Sequence, residues 1–99
     1  MDVVVSDAAW LDMRRIGLEI TKDNRNRAAS FVEELYDRCH ELQDMAYAFP
    51  LLAGHSESGI RRRVHRRYLI FYRVENETVQ ILHILHGAMD YEAILFPES

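Results

Sequence analysis

Residues 67–86, RYLIFYRVENETVQILHILH, decide the fold. The runs RYLIFYRV and TVQILHILH are rich in aromatic and β-branched residues, which pack well on a pleated surface. Between them VENET is polar and reads as a turn closing an antiparallel hairpin. Neither run alternates cleanly between apolar and polar residues. Both are apolar on both parities, so the pair is expected at the centre of a sheet, at least partly covered on both faces.

Working outward, GIRRRVHR supplies a further strand, giving three consecutive strands at roughly 60–66, 67–74 and 78–86. The stretch FPLLAGHSESG, with its proline, glycines and serines, reads as the loop that delivers the chain into them. Upstream of Pro50 the period changes from two to 3.6. Ala9, Met13, Ile16 and Ile20 make one helical stripe, and Ala28, Phe31, Val32, Leu35, Cys39 and Leu42 make another. Ser6 or Asp7 is placed to cap the first helix and Asn24 the second. Only KDNRN separates the two, so they are expected to pack as an antiparallel hairpin. The β-branched run VVVS at 3–6 reads as a first strand.

The expected fold class is therefore α+β. An N-terminal strand and an antiparallel helical hairpin pack on a small, mainly antiparallel sheet, followed by a short C-terminal helix or tail. At 99 residues the chain suits one domain, 1–99, with a single core. A hydrophobic fraction of 48% argues against disorder. No apolar run reaches membrane-spanning length, and MDVVVSDAAW lacks the basic start of a signal peptide, so a cytoplasmic location is expected. The lone Cys39 has no disulfide partner and no metal-ligand spacing around it, and reads as helix packing.

Two features ask for something beyond a fold. The helical hairpin covers one face of the sheet, and AMDYEAILFPES is short enough to cover only part of the other. Trp10 and Leu18 lie off the first helical stripe, where they either form a partner surface or, for Trp10, fold back over a helix end. Charge is the second feature. Arg61, Arg63, His65 and Arg67 share one strand parity if no bulge intervenes, with no acidic residue in the same stretch. Like charges about 6.8 Å apart repel by roughly 0.6 kcal/mol in water. An anionic ligand or acidic protein segment would remove that cost, whereas the bland reading is an edge strand protected against aggregation.

Catalytic constellations are sparse. His83 and His86 are three apart on a strand, so they point to opposite faces and cannot share a metal ion. No acid pair, phosphate loop or nucleophile elbow is present. A basic surface with a histidine nevertheless has the minimum needed to cleave RNA.

The segments SDAAWLDMRRIGLEITKDN, RAASFVEELYDRC, GIRRRVHRRYLIFYRV and VQILHILHGAMDYEAIL together resemble the RelE/ParE superfamily of bacterial toxins, and specifically its ParE branch. The pairing of YLIFYRV with ILHGAMD is the most specific part. The resemblance implies the toxin of a type II toxin-antitoxin system, neutralised by a ParD-like antitoxin with a ribbon-helix-helix domain and a C-terminal wrapping segment. It implies poisoning of DNA gyrase without catalysis, without cofactor or metal, and without sequence-specific nucleic-acid binding or membrane association. RelE-like relatives instead cut messenger RNA on the ribosome. Their basic and tyrosine positions correspond to Leu69, Ala88 and Ile94 here, none of which handles phosphate or protons. The RNase alternative would have to use Arg67, Arg73, His86 and Tyr91.

On this reading the antitoxin is expected against Trp10, Arg14 and Leu18 as an amphipathic helix, then along Arg61 and Arg63 as an acidic extended segment. The target is expected at Arg63, His65, Arg67, His86 and Phe96.

Overall fold

A computed structural model describes residues 1–98. Its elements are β1 (Asp2–Val5), α1 (Asp7–Asp23), α2 (Arg25–Glu41), a 3-10 turn (Ser56–Ser58), β2 (Arg61–His65), β3 (Tyr68–Glu75), β4 (Thr78–His86) and α3 (Tyr91–Leu95). The expected α+β class holds. Helix boundaries follow the capping chemistry. Ser6 leaves β1 to cap α1, its Oγ accepting from the Ala9 N–H at 3.1 Å and donating to the Leu82 carbonyl at 3.0 Å. Asn24 serves both helices: its backbone N–H bonds the Ile20 carbonyl at 2.8 Å, and its side chain accepts from the Arg27 N–H at 3.1 Å. One residue thus ends α1 and starts α2, which forces the tight hairpin. Gly17 lets the helices close up, because a Cβ there would stand 3.1 Å from Val32 Cγ2.

The sheet has the order β1-β4-β3-β2, with β1 parallel to β4 and the other neighbours antiparallel. Leu82 is an extra residue in β4, since Phe71 faces His83 while Tyr72 faces Ile81. The bulge coincides with the end of β1, whose last pair is Val5 with Ile81. Beyond it α1 replaces β1 along the edge of β4. The strands at 60–66 and 67–74 are corrected in one respect: Arg66 and Arg67 belong to neither strand but form the two-residue turn between them. Asn76 and Glu77 form the other turn, both with positive φ (52° and 58°), as a type I′ hairpin requires.

Two cores result. Between helices and sheet, Met13, Ile16, Phe31, Leu35 and Cys39 meet Ile70, Tyr72, Ile81 and Ile84. Tyr72 buries its ring and donates its hydroxyl to the Ala46 carbonyl at 2.7 Å. Cys39 is fully buried as packing, and burial pushes its thiol up to about 12. On the opposite face Leu52, Ile60, Leu69, Phe71 and Leu85 form a second cluster beneath Leu82, Tyr91, Leu95 and Phe96. The far face is thus covered more fully than by the tail alone, which by its length in the sequence suggests only partial cover. The loop after α2 and the tail share the work, because Tyr91 packs on Phe71 and Phe96 stacks on His55 with ring centroids 4.1 Å apart.

Candidate functional site

The arginine strand divides by face. Register pairs Arg61, Arg63 and His65 with Tyr72, Ile70 and Tyr68, so all three point to the helix side. There each finds a partner within the chain, a carboxylate for Arg63 and His65 and a backbone carbonyl for Arg61. Arg63 donates to the Arg38 carbonyl and to Glu41 Oε1, both at 2.9 Å, and lies over the Phe49 ring. His65 Nε2 is 3.0 Å from Glu34 Oε1. Arg61 donates to the Phe49 carbonyl at 2.7 Å. The expectation of free guanidinium groups at Arg61 and Arg63, and of a free imidazole at His65, is thereby corrected. The carboxylates that compensate Arg63 and His65 come from α2, some twenty to thirty residues away in the chain, which strand-local reading could not reveal. Glu34 also bonds Arg27, and those two hydrogen bonds, Arg27 first and His65 second, hold its carboxyl down at about 2.

Arg62, Arg66 and Arg67 behave differently. Arg62 pairs with Phe71 in register and so takes the other face, while Arg66 and Arg67 occupy the exposed turn. Among the described residues these three guanidinium groups have no carboxylate partner.

A polar cluster that sequence reading missed ties α1 to β4. Asp12 is 2% exposed. It accepts from Arg15 at 2.8 Å, from His83 Nδ1 at 2.8 Å and from the Ile84 backbone N–H at 2.9 Å. Its carboxylate thus satisfies a strand-edge donor that β1 no longer reaches. A signal was available: Asp12 falls between Ala9, Met13 and Ile16 on the buried stripe, where a lone acid needs partners. His83 and His86 sit on different faces of β4, as expected, and no metal-holding group of His, Cys, Asp and Glu occurs among the described residues.

The outer face of the helical hairpin carries a shallow groove of about 430 Å³, bordered by Arg14, Leu18 and Thr21 of α1 and by Arg25, Ala29 and Val32 of α2. Leu18 is 60% exposed and Trp10 48%, the latter resting against Tyr36 at 5.6 Å between ring centroids. Trp10, Arg14 and Leu18 therefore share one surface, with spacings of four residues along the helix. Neither Arg14 nor Arg25 has a carboxylate partner among the described residues.

The four residues of the RNase alternative do not converge. Arg67 and His86 are neighbours, because the Gly87 N–H donates to the Arg67 carbonyl at 2.8 Å. Arg73 lies six residues along β3, about 20 Å away in an extended strand. Tyr91 is on the opposite side of the sheet, against Phe71. Of the positions where RelE-like relatives carry working groups, Leu69 is buried in the second core and Ala88 and Ile94 are exposed.

Strand, helical hairpin, three antiparallel strands and a short closing helix make up the scaffold. A solved structure described as "Chromosomal ParDE TA system from P. aeruginosa" has this fold, with a TM-score of 0.76 at 20% identity, covering 87% of this chain and 95% of that one. The family model described as "ParE toxin of type II toxin-antitoxin system, parDE" matches residues 3–91, and the chain belongs to that family. No curated protein sequence matches it. No helix among the described residues is long and apolar enough to cross a membrane.

Proposed function

We propose that this chain is held inactive by its own ParD-like antitoxin and, when released, poisons DNA gyrase without catalysing a reaction itself. The family match over residues 3–91 carries this reading. Two features of the molecule support it. The groove beside Trp10 and Leu18 offers exposed apolar side chains at helical spacing, which an amphipathic antitoxin helix would cover. Arg14 and Arg25 at its borders are the free cations for an acidic flank, a role for which Arg61 and Arg63 are already committed within the chain. For the target, the surface around Arg67 and His86 is the proposed contact; Phe96, stacked on His55 on the other side of the sheet, lies apart from it.

The test is a plasmid assay. Purified protein with gyrase and supercoiled DNA should inhibit supercoiling and accumulate linear plasmid, whereas ribosomes programmed with messenger should show no new cleavage. Messenger cleavage with intact gyrase activity would transfer the assignment to the RelE-type reaction.

A further inference from the structure

The partition of the basic residues carries a separate inference. Of the six arginines between Gly59 and Val74, Arg61 and Arg63 are held by α2 and the loop after it, and Arg73 lies 3.4 Å from Glu75. What remains is spread along β2: Arg62 near the end away from the turn, on the far face, and Arg66 and Arg67 at the turn itself, both exposed. Arg66 has a φ of 56°, a left-handed conformation that glycine or asparagine would adopt with less strain. A cation is thus maintained at the apex against the backbone preference, and an observed outlier of this kind is a reason to look for function.

The chemistry favours phosphate over an acidic peptide. Protein contacts draw their affinity from buried aromatic or aliphatic anchors, and on β2 only Val64 is an exposed apolar side chain. β2 is an edge strand of the sheet, so these arginines lie along an open border that a phosphate backbone can follow. Four residues of strand separate Arg62 from Arg66, about 13 Å. That length covers nearly four phosphate spacings of one strand, each about 3.4 Å along the duplex axis. We propose that the β2 edge, from Arg62 to the Arg66–Arg67 turn, binds the phosphodiester backbone of duplex DNA without reading its sequence.

The experiment measures binding of the purified full chain to a fluorescent 20-base-pair duplex between 50 and 200 mM salt. Neutralising three phosphates gives a slope of log K on log salt of about −2.7, an affinity loss of about 40-fold across that range. The triple variant R62Q/R66Q/R67Q should flatten the slope towards zero, R62K/R66K/R67K should preserve it, and two unrelated duplex sequences should bind alike. Arg66→Gly removes one charge while relaxing the turn, so it should lower the slope by about 0.9 without loss of thermal stability, separating charge from folding. An unchanged slope in the glutamine variant, or no binding at 50 mM salt, overturns the proposal. So does an acidic peptide of equal charge that binds these arginines more tightly than the duplex does, which would give the edge to a protein segment. The assay contains neither gyrase nor antitoxin, so its outcome is independent of the function proposed above.

Discussion

Arg63 satisfies several demands with one guanidinium. It donates to a carbonyl in the last turn of α2, where a cation is favoured by the helix dipole, pairs with Glu41, and covers Phe49. Its planar fork makes both hydrogen bonds simultaneously, which a lysine ammonium does not reproduce. Arg63→Ala is expected to cost about 1–3 kcal/mol in urea denaturation, with Arg63→Lys recovering only part of it. Glu34 gives a pH signature. Its carboxyl is held at about 2 by Arg27 and His65, below its unfolded value near 4.3. The stability it contributes is present above about pH 4.5 and lost as pH falls through about 2. Thermal melts from pH 6 to pH 2 should therefore show wild type losing more than Glu34→Gln, the two converging at the acid end. Parallel curves would mean that the carboxylate contributes nothing at neutral pH.

At the scale of elements, each turn was selected by different demands. The β3–β4 turn needs positive φ at both central positions, and Asn76 tolerates it through its short polar side chain, whereas Glu77 is strained. Glu77→Gly should stabilise the fold by about 0.5–1 kcal/mol, read from the urea midpoint, because relief of that strain exceeds the added unfolded-state freedom. The β2–β3 turn could be relaxed in the same way but carries Arg66. In the helical hairpin the limiting residue is Gly17, whose missing side chain lets α1 approach Val32 and shapes the outer groove. Trp10 borders that surface rather than the core, resting on Tyr36 with half its area open. Trp10→Ala is expected to leave the melting temperature within a few degrees while weakening the proposed antitoxin complex at least tenfold by calorimetry, as loss of an aromatic anchor does.

At the scale of the whole molecule, the far side of the sheet depends on segments distant in sequence. Residues 49–60 and the tail meet over Leu69, Phe71 and Leu85, with the His55 ring on Phe96 and its Nε2 3.1 Å from Glu92 Oε2. Ending the chain at Asp90 removes Tyr91, Leu95 and Phe96 from this cluster. Since all three are partly exposed, the expected cost is about 2–4 kcal/mol, accompanied by binding of a hydrophobic dye. A truncated chain with wild-type stability and no dye binding would show that the tail only rests there.

Local patterning determined the elements. The stripe from Ala9 to Ile20, the cap at Asn24, the uninterrupted apolar runs around VENET and the breaker-rich loop each state a local preference, and each is realised. The two-residue turn at Arg66–Arg67 was the local feature that eluded the pattern, since arginine is not a turn former and carries no signal for positive φ. What the tertiary structure alone decided was which charges are free. Whether a guanidinium finds a carboxylate depends on how α2 lies across β2, and sealing of the far face depends on where the tail lands. Both are contacts between segments remote along the chain, made through space by packing, and no period or propensity within either segment encodes them.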